Sequence, residues 1–139
     1  MTEEYDRDKL HESNDDLWRR IIRIPCVCER CGNEGEEKDF EADHIVTRGN
    51  LRLRWNLLNG ICLCIGCHKY KHESSITEIE YQVWFRKTYP ERWRYLQELK
   101  NQLAVDVDLE EVNKYLRIQL IEAQKIKKIF EGQITGEGL

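Results

Sequence analysis

The chain has 139 residues, which fits one domain or one compact domain with additional helices. Charged residues make up 35% of it and the formal net charge is −4, which argues against a protein that coats nucleic acid through bulk positive charge. No apolar run approaches the roughly 20 residues needed to span a bilayer, and the acidic N-terminus lacks the hydrophobic stretch of a secretory signal. We therefore expect a soluble, cytoplasmic protein with no membrane partner.

The beginning of the chain is strongly acidic. Residues 1–16 carry a net charge of −5, so the remainder sums to +1 and can still present a local basic face. We predict that residues 1–13 form an acidic, flexible tail. A helix is predicted from Asn14 to Arg23, because Ser13 is placed to cap it. Ile24-Pro25 ends this helix, since a residue that precedes proline avoids the helical region.

The middle of the chain predicts a β-hairpin followed by a helix. Lys38–Val46 alternates between apolar and polar residues, as a half-buried strand does, and Gly60–Leu63 is a short second strand. Between them lies Thr47–Asn56, which we interpret as a loop rich in arginine. A helix is predicted from Ile65 to His72.

The last part of the chain is predicted to be helical. Helices are expected over Ile76–Tyr89, over Glu91–Leu103 and from a cap at Asp108 to about Phe130, with Gly132 ending the last one. The last helix carries apolar residues at spacings of three and four: Leu109, Val112, Leu116, Leu120, Ala123 and Ile126. We expect this stripe to pack on the body of the protein, with a dimer contact as the alternative. Three aromatic residues are expected in the core, with base stacking as the alternative: Trp84, Trp93 and Tyr95.

Cysteine spacing predicts a metal site. Four of the six cysteines form two Cys-x-x-Cys pairs: Cys28 with Cys31, and Cys64 with Cys67. Because disulfides are rare in reducing compartments, one structural Zn²⁺ held by four thiolates is the favoured interpretation over four ordinary buried thiols. Cys26 and Cys62 are interpreted as small core residues, although either could replace a neighbour in a shifted register. A two-stranded hairpin is marginal alone, so the metal would stabilise it.

The segment between and after the cysteine pairs contains residue types that bind metals and move protons. His68 and His72 are four residues apart, so both imidazoles lie on one helix face and can bind one ion. The thiolates that begin the same helix point in another direction, so one helix can serve two metals. Asp43 and His44 are adjacent on a strand and should point to opposite faces. A bend or bulge at the strand end would let both approach one phosphate.

The order Cys-x-x-Cys, Asp-His, Asn, Cys-x-x-Cys-His resembles the HNH endonuclease family of the zinc-knuckle type, also described as ββα-metal or His-Me finger nucleases. The resemblance covers Cys28 to His72, about a third of the chain. The additional His72 is similar to the arrangement in bacterial colicin DNases. Arg48-Gly49-Asn50 and the sequence after His72, which is rich in Tyr, Trp and Arg, resemble phage-encoded recombination endonucleases.

The resemblance implies an α+β fold with a ββα-metal core and a structural zinc held by four cysteines. An N-terminal helix would precede this core, and a helical extension would follow it. We accordingly divide the chain into a tail over 1–13, a nuclease core over 14–75 and a helical extension over 76–139. The extension would pack on or next to the core.

The resemblance also implies roles for the site residues. Asp43 and His68 would hold a catalytic divalent ion, joined by His72 unless that residue belongs to a solvated helix end. His44 would be the general base that accepts a proton from the attacking water. Asn59 would hydrogen-bond across the loop and hold His44 in place, with a simple turn at Asn59-Gly60 as the alternative. The products would carry a 5′ phosphate and a 3′ hydroxyl.

The sequence specifies the catalytic ion and the nucleic-acid contacts less fully than it specifies the site residues. Two imidazoles favour Zn²⁺, Ni²⁺ or Mn²⁺ over Mg²⁺. The resemblance to the HNH family instead implies Mg²⁺ or Mn²⁺, and we predict one of these two ions. Arg48, Arg52 and Arg54 follow the predicted base and are expected to clamp phosphates beside the cut, with a solvated charged loop as the alternative.

Three functions are compatible with these residues. The first is an endonuclease that hydrolyses phosphodiester bonds, with double-stranded DNA favoured over RNA as its substrate. It would act as a monomer or a homodimer. The second is a zinc-stabilised nucleic-acid-binding module without chemistry. The third is an interaction protein whose C-terminal helices serve a larger assembly. The presence of Asp43, His44, Asn59 and His68 favours the first, because binding alone needs none of them.

Overall fold

The computed structural model describes residues 3–103 and 106–135. Residues 1–2 of the predicted tail, and residues 104–105 and 136–139 of the predicted extension, lie outside the described part. In chain order the elements are α1 (Glu3–Arg23), β1 (Phe40–His44), α2 (Leu51–Arg54), β2 (Gly60–Cys64), α3 (Ile65–Lys71), α4 (Ser75–Thr88), α5 (Pro90–Lys100) and α6 (Leu109–Thr135), with short 3-10 helices at Glu37–Asp39 and Leu57–Asn59. No helix within the described residues is long and apolar enough to cross a membrane. The predicted α+β class is confirmed.

The two strands form the predicted antiparallel hairpin. Phe40 lies opposite Cys64 and His44 lies opposite Gly60. Because side chains alternate along a strand, successive residues of β1 face α1 and α3 in turn. Phe40 is buried on one face of the sheet and Leu63 is buried on the other. The hairpin is therefore held between the N-terminal helix and the helix that follows β2.

Helix α1 differs from its prediction, because it begins at Glu3 rather than at Asn14. Residues 3–13 therefore belong to a helix and not to a flexible tail. The physical reason is tertiary packing that the acidic composition hides. Leu10 packs against the buried cluster around Trp18, and the ring of His11 lies edge-on to that of Trp55 with 5.1 Å between centroids.

Helix α6 packs along α1, as its apolar stripe predicts. Leu116 is fully buried in the same cluster as Trp18. The amide of the buried Asn14 donates to the carbonyl oxygen of Leu109 at 3.2 Å, which ties the two helices together. The prediction that Gly132 ends α6 is wrong, because the helix continues to Thr135. One glycine inside a helix costs only about 1 kcal/mol relative to alanine, so it need not stop the helix.

The ends of α4, α5 and α6 follow local capping chemistry. The hydroxyl of Ser74 accepts from the backbone N–H of Thr77 at 3.1 Å, and the Thr77 hydroxyl oxygen accepts from the Ser74 N–H at 2.9 Å, which forms a capping box for α4. Pro90 is the first residue of α5. The predicted cap Asp108 accepts two backbone N–H bonds at 3.1 Å at the start of α6. Helix α5 ends at Lys100, earlier than predicted.

The segments flanking the strands also differ from their predictions. β1 is shorter than the predicted strand Lys38–Val46, because a 3-10 helix precedes it. After His44, the N–H of Ile45 donates to the backbone carbonyl of Asn59, and the N–H of Val46 donates to the Asn59 side chain instead of to β2. The predicted loop Thr47–Asn56 contains the one-turn helix α2, which Asn50 caps by accepting from the Leu53 N–H at 3.3 Å. A single turn is too short to produce a periodic apolar pattern.

The hairpin and the C-terminal helices share one hydrophobic core. Tyr81 and Phe85 of α4 and Leu96 of α5 are buried in the same cluster as Ile61 and Leu63 of β2. Helices α4 and α5 therefore form one wall of the region in which the candidate site lies. The division of the chain at residue 75 stays a prediction.

Candidate active site and metal centres

The first centre is a cluster of four cysteines at the base of the hairpin. Cys28 and Cys31 come from the turn after α1, Cys64 ends β2, and Cys67 lies in the first turn of α3. Their sulfur atoms all lie within 4.8 Å of one another, and the Sγ atoms of Cys31 and Cys64 are 3.7 Å apart. A tetrahedral zinc with Zn–S bonds of about 2.3 Å needs sulfurs about 3.8 Å apart. The predicted four-cysteine cluster is confirmed, and its spacing is compatible with zinc.

Backbone amides support this cluster as they do in zinc knuckles. The N–H groups of Cys31 and Cys67 point at the Sγ atoms of Cys28 and Cys64, at 3.5 and 3.4 Å. The tight turn places Gly32 at φ +78°, a backbone conformation that residues other than glycine rarely adopt. Burial raises the pKa of Cys28, but hydrogen bonds from the backbone amides of Cys31 and Cys64 outweigh it and lower the pKa to about 7. Cys28 is thus poised to bind metal as a thiolate.

The two remaining cysteines lie outside the cluster. Cys26 and Cys62 are buried, and neither belongs to the group of sulfurs that can share one ion. Burial raises the pKa of the Cys62 thiol to about 12, which keeps it protonated. The regular spacing, rather than a shifted register, therefore supplies the four sulfurs.

The second centre joins β1 to the end of α3. The Oδ1 atom of Asp43 lies 3.5 Å from Nε2 of His68 and 3.7 Å from Nε2 of His72. The donor atoms of these three residues all lie within 4.8 Å of one another, so one ion could contact them together. His72 is the cap residue that follows α3, just beyond the helix in which it was predicted. The structure thus brings together the three residues that the sequence analysis selected as ligands.

Lys71 is a member of this centre that sequence reasoning missed. Its Nζ atom donates to Oδ2 of Asp43, lies 3.4 Å from the carbonyl oxygen of His44 and sits 4.5 Å from the centre of the Tyr81 ring. Lys71 is 6% exposed, although in the sequence Lys71 and Glu73 indicate a solvated helix end as the alternative for His72. A lysine in sequence between two candidate ligands is the one signal that could have revealed it.

The charge of Asp43 is stabilised by these neighbours. Burial acts to raise the pKa of the Asp43 carboxyl, but the hydrogen bond from His68 and the positive charge of Lys71 outweigh it and hold the pKa below its usual range. Asp43 is therefore ionised near neutral pH. An ionised carboxylate beside two imidazoles is a donor set that divalent transition metals accept.

His44 is held in one orientation and one tautomer. Its Nε2 atom lies 2.9 Å from the carbonyl oxygen of Arg54. Because a carbonyl oxygen can only accept, Nε2 carries the hydrogen and Nδ1 is left as an acceptor. Among the described residues, none donates a hydrogen bond to Nδ1. Burial lowers the pKa of His44, so the imidazole is neutral near pH 7 and can take up a proton.

Trp18 covers one face of the His44 ring. The two rings are stacked with centroids 4.0 Å apart and planes 9° apart. Trp18 is itself fixed, since its Nε1 donates to the Asn56 carbonyl oxygen at 3.0 Å. The indole approaches β2 closely at Gly60, where an added Cβ would lie 2.7 Å from Trp18 and 2.4 Å from Ile22. The sequence does not single out Trp18, because nothing local indicates which side chain a core tryptophan will meet.

Asp43 and His44 point to opposite faces of β1, as strand geometry predicts. The Asp43 side chain contacts α3, whereas the His44 ring contacts α1. Because β1 ends at His44, both residues still border one cleft of about 440 Å³, together with Lys71 and His72. The candidate base and the candidate ion site therefore share one open space.

Asn59 is buried and touches none of the candidate ion ligands. Its Oδ1 atom accepts from the Val46 N–H at 2.7 Å, and its Nδ2 donates to the carbonyl oxygens of Val46 and Leu53 at 2.9 and 3.0 Å. These bonds tie the two ends of the loop between the strands. Because Leu53 directly precedes Arg54, Asn59 also fixes the carbonyl that orients His44. This geometry fits a positioning role and not the alternative of a simple turn.

The three arginines of the loop have different environments. Arg48 is exposed and borders the cleft. The guanidinium of Arg52 donates to the carbonyl oxygen of Leu103 at 2.6 Å. Arg54 forms two hydrogen bonds, of 2.9 and 2.7 Å, to the carboxylate of Asp15, and its side chain is only 19% exposed. The structure thus gives Arg54 a structural role in place of the predicted phosphate contact, because a carboxylate on α1 already pairs with it.

The comparison with known proteins agrees with this geometry. Residues 28–74 match the sequence model of the HNH endonuclease family, so the resemblance is confirmed for this stretch. The matched stretch is about a third of the chain and contains both cysteine pairs and the second centre, whereas α1, α4, α5 and α6 lie outside it. No curated protein and no solved structure matches the chain. The family match supports a nuclease-type, metal-binding function, while the likeness to phage-encoded enzymes stays a prediction.

Proposed function

We propose that this protein is a metal-dependent endonuclease that hydrolyses phosphodiester bonds of double-stranded DNA. One observation carries the proposal: an imidazole with a free acceptor nitrogen borders the same cleft as Asp43 and His72, which can share one ion with His68. The match of residues 28–74 to the HNH endonuclease family supports a nuclease-type activity and makes DNA a plausible partner.

The catalytic ion would be held by Asp43, His68 and His72. A carboxylate with two imidazoles leaves room for water and a phosphate oxygen, and we propose Mg²⁺ or Mn²⁺ as the ion in use, with Zn²⁺ or Ni²⁺ as alternatives. When bound, the ion would stabilise negative charge on the scissile phosphate and on the leaving 3′ oxygen. Zn²⁺ in the four-cysteine cluster would have a structural role only.

His44 would act as the general base. Its Nδ1 atom would accept the proton of the attacking water, and the hydrogen bond from Nε2–H to the Arg54 carbonyl would stabilise the imidazolium that forms. Asn59 would keep that carbonyl in place through its bond to Leu53. Hydrolysis in this direction leaves a 5′ phosphate and a 3′ hydroxyl. Arg48 at the cleft and Arg52 on the same loop would contact backbone phosphates.

A second candidate function is a zinc-stabilised nucleic-acid-binding module without chemistry. One observation favours it: the ammonium group of Lys71 already neutralises Asp43 without any ion. Such a module would bind DNA through Arg48 and Arg52, and its affinity would not depend on added Mg²⁺ or Mn²⁺.

A plasmid-cleavage assay separates the two functions. Zinc-loaded protein is incubated with supercoiled DNA, with and without Mg²⁺ or Mn²⁺, beside the His68→Ala variant. We expect cleavage only with the added ion, and a loss of at least about 100-fold in His68→Ala, since the ion would lose one of its three ligands. His11→Ala is the matched control, because this histidine contacts Trp55 and is neither a candidate ligand nor the candidate base, so its loss should reduce cleavage far less than His68→Ala does. DNA binding without cleavage under all conditions would favour the second function.

A further inference from the structure

The cleft beside the candidate site has walls of two different kinds. The wall formed by β1 and the end of α3 is polar and carries Asp43, His44 and His72. The opposite wall is formed by α4 and α5 and carries Phe85 and Trp93. An ion and a phosphate need only the polar wall, so the aromatic wall calls for a ligand with an apolar face.

The aromatic wall is backed by a buried ring and presents one partly exposed ring to the cleft. Phe85 is fully buried and lies behind Trp93, with ring centroids 6.2 Å apart and planes at 60°. Trp93 is half-buried, so part of its surface is free to contact a ligand. A tryptophan that is supported from behind and open in front can stack on a planar ring at little entropic cost.

Polar side chains border the same cleft. Gln82 is exposed on α4, and Glu78 lies four residues before it, so both project from one face of the helix. An amide can both donate to and accept from the edge of a nucleobase. Arg48, on the loop after β1, borders the cleft as well and carries the positive charge that a phosphate needs.

We propose that this cleft binds one unpaired nucleotide of DNA beside the scissile phosphate, with its base on Trp93 and its edge within reach of Gln82. The inference rests on the proposed nuclease function and names its preferred substrate: DNA with an unpaired nucleotide at the cut. A paired base is stacked between its neighbours and cannot enter a cleft until it leaves the duplex. The cleft volume of about 440 Å³ is within the range of small-ligand sites.

Three oligonucleotide duplexes that differ at one central position test the inference. The first is fully paired, the second has one extra unpaired nucleotide, and the third has an abasic residue in place of that nucleotide. Binding is measured with zinc-loaded His44→Ala in Mn²⁺, and cleavage with the unsubstituted protein. Because a base stacked on an aromatic ring strengthens binding roughly 5- to 100-fold, we expect the second duplex to bind at least about 5-fold more tightly than the other two. Equal binding of all three, or of the second and third, would overturn the inference.

Substitutions on the cleft wall connect the preference to these residues. Gln82→Ala should weaken binding of the unpaired substrate about 5-fold and leave the paired one unchanged, since one hydrogen bond is lost. Gln124→Ala, an exposed glutamine on α6, is the matched control and should change neither. Trp93→Ala should remove most of the preference, and Trp93→Phe, which keeps an aromatic face, should retain it. A preference that survives both Gln82→Ala and Trp93→Ala would contradict the assignment to this cleft.

The cleavage assay distinguishes failure of this inference from failure of the proposed function. If the unsubstituted protein cuts all three duplexes at the same rate, the nuclease function stands and the inference is overturned. If it cuts none of them with Mg²⁺ or Mn²⁺, the proposed function fails, and the inference that rests on it fails as well. Faster cutting of the second duplex than of the third supports both.

Discussion

At the scale of single residues, the orientation of His44 depends on contacts from three separate parts of the chain. The carbonyl of Arg54 fixes its tautomer, the indole of Trp18 fixes the plane of its ring, and β1 fixes its backbone. Of these, only the Trp18 contact comes from a helix outside the stretch that matches the HNH family. We therefore regard Trp18 as a positioning residue for the candidate base.

Substituting Trp18 tests this positioning. Trp18→Phe keeps an aromatic face but loses the hydrogen bond to Asn56 and part of the stacked area, so the ring of His44 gains freedom. We expect kcat for DNA cleavage to fall about tenfold while KM changes little, because misplaced catalytic groups affect the chemical step. Trp84→Phe is the matched control. A parallel change of kcat and KM in both variants would indicate a general loss of structure instead.

At the scale of elements, α1 is fixed to the hairpin loop by a charged contact. Asp15 accepts two hydrogen bonds from Arg54 and one, at 2.8 Å, from Trp55 Nε1. Burial acts to raise the pKa of Asp15, but the hydrogen bonds from Arg54 and Trp55 outweigh it and lower the pKa below its usual range. The contact holds α1, and with it Trp18, against the region that orients His44.

This contact predicts an acid sensitivity. A carboxyl with a lowered pKa in the folded state contributes stability above the pKa of the unfolded state, about 3.9 for Asp, and this contribution is lost as the pH falls through the folded value. Asp15→Asn should therefore lower the melting temperature at pH 7. In this variant the melting temperature should also fall less steeply as the pH drops below about 4. Asp16→Asn, an exposed neighbour, should do neither. Identical melting curves of Asp15→Asn and the unsubstituted protein from about pH 7 to about pH 3 would refute the role of the contact.

Besides the Asp15 contact, the four-cysteine cluster also holds elements together, since it joins the turn after α1 to β2 and α3. Cys64→Ser removes one thiolate, so we expect a loss of bound zinc and a lower melting temperature. Cys26→Ala, outside the cluster, should keep one zinc per chain. Metal analysis of both purified variants checks the prediction. Zinc retained at full occupancy in Cys64→Ser would show that this sulfur is not a ligand.

At the scale of the whole molecule, the sequence predicted the parts of the site whose geometry is local. The two cysteine pairs follow from spacing within one turn, and the His68–His72 pair follows from spacing along α3 and its cap residue, so their clusters could be foreseen. Lys71 and Trp18 could not, because their partners lie on other elements and depend on how the helices pack. The same holds for the first half of α1, whose acidic composition conceals its contacts with α6 and Trp55. Oligomeric state, monomer or homodimer, stays a prediction.

The central claim is that His44 accepts the proton of the attacking water while Asp43, His68 and His72 hold the ion. The most direct measurement is the single-turnover cleavage rate of His44→Ala, taken together with its Mn²⁺ affinity and zinc content. We expect an unchanged zinc content, a Mn²⁺ affinity within about threefold of the unsubstituted protein, and a rate at least about 100-fold lower, as the loss of a general base predicts. Cleavage by His44→Ala at the unsubstituted rate would contradict the account.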